Sequence, residues 1–589
     1  MIKYIDGRRL YRAFLAGSHR VLSQREYLNE INVFPVADAD TGANLAATLK
    51  NIISVSEFDL SLKATVRNMA ETALAMARGN SGIIFSQFLY GISEELESER
   101  RQTIRTFSQA LQRAVGYMYK SLLNPVEGTM ITVIREWVES LHNLSQKSLD
   151  MAHVLEQSLL KARESLAKTP ARLAILKKAG VVDAGGMGFV LFLEGIIHYL
   201  KTGKLEMAEM QQQVAHLEHH ESENLGQYRY CCETLLSDLT EEPSEIVNKI
   251  SRYGDSVVIA GGRKMLHMHL HSNAPTEVFH YLSQAANISS VKVDDMHWQH
   301  EIQERRKYKI GLVTDSAADF PLELKEKYQI NTIPIKLIFG EDIYLDKVTI
   351  DPPAFYKKIE SGGDFPHSSQ PDPAQVSASI DFVRSHYSEV ICISISSQLS
   401  GIYNLMQQSI SEKQAISVFD SRHLSVSEGL LVLRVAAAIE AGIPYSGIID
   451  QIPSWREGCW IFTDIHSLSY MVRGGRVSPL KGKIARFLNL KPIVSVDSSG
   501  KGIAWGKSFS RQANMKKIIK LVQEKSSAGR LWNYAIVHAQ NPDRAEKYAV
   551  QLEKLLNKKP LYIMEISPVV GVHNGPGACA VGLLVEKEK

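Results

Sequence analysis

Two carboxylates, a hydroxyl, a glycine and an amide fall within seven residues of one another at Asp38, Asp40, Thr41, Gly42 and Asn44. They sit in NVFPVADADTGAN, between an apolar, proline-broken stretch and the helically spaced NLAATLKNII. That context predicts a turn entering a helix, with Asp40 or Thr41 as N-cap. Carboxylates two residues apart in a loop can both reach a hard cation such as magnesium, which takes oxygen ligands and bridges to phosphate. The N–H groups of the helix start favour phosphate oxygens. Taken alone, the same residues also describe an ordinary capped turn, since Asp, Thr and Gly are common turn formers.

The elements around this turn must decide. Residues 1–205 read as almost wholly helical, an all-α domain with short connections. Three more glycine-containing loops interrupt it: ARGNSG at Ala77–Gly82, PVEGTM at Pro125–Met130 and VVDAGGMG at Val181–Gly188. Each lies at a helix boundary and offers small residues, amides and hydroxyls where a phosphate can approach. Singly each reads as a cap; four in one helical domain point to a nucleotide site. The two common phosphate motifs are not met. The GKS at Gly506–Ser508 has Lys501 where the first glycine of GxxxxGK[ST] belongs, and GGMGF lacks the spacing of GxGxxG.

NVFPVADADTGAN, RGNSGIIFSQ, PVEGTMITVIRE and VVDAGGMG resemble, in order, the ATP-binding domain of the L-type subunit of dihydroxyacetone kinase and, more closely, that of the catalytic subunit of fatty acid kinase. The resemblance implies an eight-helix barrel whose top loops hold the nucleotide through magnesium. Asp38 and Asp40 match the magnesium-binding aspartates. Thr41, Gly42, Asn44, Asn80, Ser81, Gly82 and Thr129 match the nucleotide-binding loops, and Asp183, Gly185 and Gly186 match the last of them. Where the family has PDGDTG this chain has ADADTG, which alters the stiffness of the turn and keeps both carboxylates.

Composition narrows the class. The 589 residues suggest three or four domains. An apolar content of 44% with 22% charged residues is that of a soluble globular protein, and a net charge of +3 leaves no electrostatic footprint for nucleic acid. No stretch resembles a signal peptide or approaches the roughly 18 apolar residues of a membrane span. Five scattered cysteines fit a reduced, cytoplasmic setting better than a disulfide framework.

Residues 206–227 are polar and read as a linker, and their histidines, His216, His219 and His220, are irregularly placed. From 228 to 304 short strand-like runs, YCCETLL, DSVVIAGG and MLHMHLHS, alternate with helices, giving a small α+β domain. On a strand His267, His269 and His271 share one face, and with Cys231 or Cys232 they could hold zinc or simply form a polar sheet face. YCCE followed by MHLHSNAP resembles the fatty acid kinase middle domain, which implies zinc on Cys231, His269 and His271 and leaves His267 unassigned.

Residues 308–589 read as α/β, with apolar strands such as KIGLVTD, TIPIKLIF and VICISIS and polar clusters at their carboxyl ends. TDSAADFP, SSQPDP, SSQLSGIYN, RGGRVSP and HNGPGA resemble the DegV family, whose members bind a fatty acid between two α/β lobes. The resemblance implies that Ser368, Ser396 or Ser397, and His573 hold the carboxylate. Arg473 and Arg476 in RGGR suit a phosphate, a contact with the kinase domain or a structural turn.

A Mg-ATP site and a bound fatty acid carboxylate together imply phosphoryl transfer to an acyl phosphate; the alternative is a fatty-acid carrier or sensor with a regulatory nucleotide domain. A second copy of the chain, as a homodimer, and other enzymes of lipid metabolism are the further partners that the resemblance allows.

Overall fold

The computed structural model describes residues 2–34, 40–56, 58–205, 227–410, 415–475 and 491–587. Asp38, the expected linker apart from Gln227, including His216, His219 and His220, and Arg476 lie outside these residues. The chain is multidomain, and its contacts divide it into two units: Met1–Ala274 with Tyr281–His297, and Pro275–His280 with Trp298–Lys589.

The first unit is helical up to Thr202. Among the described residues of this unit eight helices run to fifteen residues or more: Gly7–Leu22, Thr41–Val55, Leu62–Met76, Gly79–Glu95, Ile104–Lys120, Met130–Ser145, Met151–Ala167 and Ala184–Thr202. Each packs against the next, and the last returns to the first. Their starts are chemically marked: Asp6 accepts from Arg9 N at 2.9 Å and Ser61 Oγ from Ala64 N at 3.4 Å. The helix Ala184–Thr202 is apolar on nearly every face over Ala184–Leu193, where nearly every residue is buried. Its Phe192 meets Phe14 and Phe85 edge-on at 5.0 and 5.2 Å between centroids.

An antiparallel sheet follows in the order Gly254–Gly262, Met265–Ser272, Tyr230–Ser237, Asn287–Asp295. It shares a unit with the helices because its first strand is fastened to them. Ile259 N donates to Ser121 O at 2.9 Å, Gly261 N donates to Gln87 Oε1 at 2.7 Å, and Val258 and Ala260 join the helical core.

The second unit is α/β. A parallel sheet runs Ala415–Asp420, Glu389–Ser394, Ile310–Asp315, Asn331–Ile333. Ile310–Asp315 is buried at every residue, as a strand covered on both faces must be. The six-stranded sheet, Gly502–Ser508, Lys491–Val496, Cys459–Asp464, Cys579–Glu586, Arg530–His538, Ile563–Glu565, is antiparallel except for its last pair. TIPIKLIF, expected as one strand, is two: Asn331–Ile333 stays in the parallel sheet and Lys336–Phe339 joins a three-stranded one. Pro334 lies between them, where a residue without an N–H ends the ladder.

Candidate functional site

Asp40 takes the N-cap position of Thr41–Val55, yet its carboxylate does not cap that helix: Oδ2 accepts from the Asn44 side-chain amide at 2.7 Å. Thr41 Oγ1 donates to Asn32 Oδ1 at 2.9 Å, and Ala43 N is met by Asn29 Oδ1 at 2.9 Å. The second loop lies against this one. Gly79 has φ +60°, and a Cβ there would stand 2.5 Å from Asn44 Nδ2, so both backbone and space require glycine. Next to it the buried Asn80 Oδ1 has no hydrogen-bond partner among the described residues. A buried amide oxygen left so costs free energy until a ligand or cation meets it.

The third and fourth loops complete the group. Thr129 is the N-cap residue of Met130–Ser145, and its hydroxyl donates back to Val126 O at 2.9 Å. A Cβ on Gly185 would lie 2.8 Å from Ser81 Oγ and 3.2 Å from Met130 Cβ, so the loops bearing Ser81, Thr129 and Gly185 are neighbours. Gly82 is buried against Thr48 of the first helix after the acidic turn. Asp183 is the N-cap residue of Ala184–Thr202. It is buried, its Oδ2 accepts from Gly186 N at 2.7 Å, and Met130 N also donates to it. Burial raises its pKa to about 6 against the pull of those two donors. Asp183 thus ties two loops together from beneath, and Gly186 is engaged in the same bond.

In the α+β part, register does what sequence spacing could not. Cys231 pairs with His271 and Glu233 with His269 across antiparallel strands, so all four side chains share one face. The Sγ of Cys231 and ring nitrogens of His269 and His271 lie within 4.8 Å of one another. Cys231 Sγ is 3.7 Å from His269 Nδ1, and His269 Nε2 is 3.2 Å from His271 Nε2. Burial lowers the His271 pKa to about 3 and holds the Cys231 thiol well above its ordinary range. A neutral imidazole offers its lone pair, and a cation would displace the thiol proton on binding. His267 stands apart, its Nδ1 2.9 Å from Leu74 O, joining this strand to the helix Leu62–Met76.

The second unit encloses a cavity of about 1140 Å3. Its walls are mostly apolar: Ile461, Val494 and Val537 come from the six-stranded sheet, Ile335 and Ile395 from the turns that follow strands of the parallel sheet, and Val569 from the helix Pro568–Asn574. Ser368, Ser369, Gln370, Gln398, Ser400, His573 and Asn574 supply polar groups. Of the expected carboxylate holders, Ser368 and His573 therefore line it. Ser396 and Ser397 do not: Ser396 Oγ donates to Gly500 O at 2.8 Å and Ser397 Oγ to Asp420 Oδ2 at 2.5 Å. In the turn after Ser394 the hydroxyls of Ser396 and Ser397 are engaged elsewhere, and Gln398 and Ser400 line the cavity instead. Gly474 of RGGR lies against His573, since a Cβ there would stand 2.4 Å from Nδ1. Arg473 stacks over Phe365 at 3.9 Å. Beneath the cavity the buried Asp315 accepts from Ala317 N at 3.0 Å and Ile395 N at 2.7 Å, fixing two lining loops, and burial raises its pKa to about 6.

Three family models match the chain in succession: the DAK2 domain over residues 35–198, the middle domain of FakA-like fatty acid kinase proteins over 227–303, and the DegV family over 309–586. An uncharacterized protein of Staphylococcus haemolyticus is 28% identical over 358 residues, 58% of this chain and 63% of the relative. One of Staphylococcus aureus is 30% identical over 315 residues, 51% of this chain and 57% of the relative. The matches thus span about three fifths of these relatives' length. Among solved structures, DegV, a fatty acid binding protein from Bacillus subtilis, is 27% identical with a TM-score of 0.44, covering 48% of this chain and 100% of that one.

Proposed function

We propose that this chain, which joins a DAK2 domain, a FakA-like middle domain and a DegV domain, transfers the γ-phosphoryl group of ATP to the carboxylate of a fatty acid. The observation that carries the reading is the grouping of four polar loops around Asn44, Gly79, Ser81 and Gly185 in a chain that also encloses a largely apolar cavity with serines and a histidine in its wall. We read the ring of eight long helices as the barrel of that kinase family.

The acceptor is an ionised carboxylate at neutral pH, so no general base is needed. A carboxylate oxygen bonds to the γ-phosphorus while the bond from that phosphorus to the bridging oxygen breaks. The electron pair leaves with ADP, and the product is an acyl phosphate. What such a reaction demands is charge neutralisation and in-line placement. The residues present fit magnesium: Asp40 offers a carboxylate, Asn80 an unmet buried oxygen, and Asp38 a second carboxylate by motif alone. Magnesium, when bound, would neutralise phosphate charge there. Asn44 orients the Asp40 carboxylate, and the first turn of the helix Gly79–Glu95 offers backbone N–H groups beyond that of Gly79, which Glu233 engages. In the second unit Ser368 and His573 donate to the fatty acid carboxylate, with Gln398 and Ser400 as neighbouring donors. A thiol with two imidazoles fits zinc, which Cys231, His269 and His271 would hold as a stabilising ion.

The test is ADP release by the purified chain with and without oleate, beside Asp38→Ala and Asp40→Ala. Oleate-dependent release lost in both variants supports the kinase. Tight oleate binding with no release sinks it and makes the chain a carrier or sensor.

A further inference from the structure

Glu233 lies outside every ligand set assigned so far. It sits on the strand Tyr230–Ser237 and is only 5% exposed. A carboxylate so buried must be paired, and its partners belong to two different sites. Oε1 accepts from the backbone N–H of Gly79 at 2.6 Å. The same oxygen is 3.5 Å from His269 Nδ1, and Oε2 is 3.7 Å from Lys292 Nζ. Lys292 is held in turn by Asp294. Contacts therefore run unbroken from Asp40 through Asn44, Gly79 and Glu233 to His269, and on to Cys231 and His271.

We infer that Glu233 is a positioning residue for the nucleotide site, and that through it a zinc ion on Cys231, His269 and His271 sets the placement of the Gly79–Gly82 turn. This rests on reading that turn as a phosphate loop. The physical link is the orientation of one ring. The Nε2 atoms of His269 and His271 are 3.2 Å apart, close to the about 3.3 Å between two nitrogens on one tetrahedral zinc ion. With Nε2 on the cation, Nδ1 carries the proton and donates to Glu233, the arrangement in which an outer carboxylate fixes a metal-bound imidazole. Without the cation, either nitrogen can carry the proton. In one tautomer the bond to Glu233 is lost, and the acceptor that holds Gly79 N–H loosens. Removing zinc thereby weakens a site built from other side chains.

The experiment uses the full chain. Mg-ADP is titrated by calorimetry into the parent, Glu233→Ala and Glu233→Gln, before and after zinc removal by a chelator. Zinc is counted by mass spectrometry and helix content followed by circular dichroism. For the parent, zinc removal weakens ADP by about fivefold or more. Glu233→Ala weakens ADP comparably while zinc stays bound, and zinc removal then adds nothing. Glu233→Gln keeps an oxygen for Gly79 N–H but loses the charge, so it binds ADP nearly as the parent does and responds less to zinc removal. ADP binding unchanged in Glu233→Ala overturns the inference, as does a zinc effect of equal size in Glu233→Ala and parent. Should Glu233→Ala lose its helix signal, Glu233→Gln decides: a zinc response equal to the parent's overturns the coupling. A parent that holds no zinc overturns the coupling alone. A parent that binds no ADP overturns the nucleotide reading together with it.

Discussion

At the scale of single residues, the two sites differ in how tightly each group is fixed. His573 ends the helix Pro568–Asn574 with its ring against Gly474, so any side chain at 474 would push it from the cavity wall. His573→Ala should weaken oleate binding about tenfold or more, the worth of a hydrogen bond to a charged group, in a fluorescence displacement assay. Ser397→Ala, whose hydroxyl serves Asp420, should leave oleate affinity unchanged and instead lower the melting temperature. An equal loss of affinity in both would contradict the wall described here. In the first unit, Cys231→Ser removes the one sulfur of the Cys231, His269, His271 set. Zinc counted by mass spectrometry should fall from about one per chain to a small fraction of it.

At the scale of elements, two loops gather on one buried carboxylate. Asp315 holds the loops after Ile310–Asp315 and Glu389–Ser394 by accepting from both backbones. Burial raises its pKa to about 6, above its unfolded value. The sign follows from linkage. A raised carboxyl pKa contributes stability that is present below the unfolded value, about 4, and lost as pH rises through about 6. Denaturant unfolding of the parent and Asp315→Asn should therefore diverge with pH. The parent's stability relative to the variant should fall by about 3 kcal/mol from pH 4 to above pH 6, then stay flat. A difference independent of pH would show that Asp315 is not held neutral. In the helical ring, Phe192→Ala opens the contact of three helices at Phe14 and Phe85. A cost of about 3–5 kcal/mol, read as a lower melting temperature, is expected with no change in oleate affinity.

At the scale of the whole molecule, the two units carry different ligand chemistry, so their stabilities should answer to different ligands. Mg-ADP at about 100 times its Kd should raise the transition of the first unit by about 2.7 kcal/mol, and oleate that of the second likewise. Differential scanning calorimetry separates these effects. A single transition moved by either ligand alone would contradict the assignment of the sites to separate units. Among the described residues, no helix is long and apolar enough to cross a membrane.

The sequence by itself determined the helical first part, the α/β last part and the four loops, because periodicity and glycine punctuation are local properties of the chain. It also determined which residues of MLHMHLHS share a face, since a strand's period is two. Register was not local. That Cys231 lies opposite His271 and Glu233 opposite His269 depends on how two strands pair. Glu233 accordingly carried no signal in YCCE, and only tertiary contact with Gly79 made it visible. The serines of SSQLSG were legible as hydroxyls at a strand end, but which of them face the cavity was decided by Gly500 and Asp420, far away in sequence. The break of TIPIKLIF at Pro334 was written in the chain; the separate sheets that receive its halves were not. Asp183 was legible as a cap; that Met130 N also donates to it was not. Residue type and spacing determine which chemistry a chain can offer; only packing decides which of its polar atoms are engaged by the protein and which face a ligand.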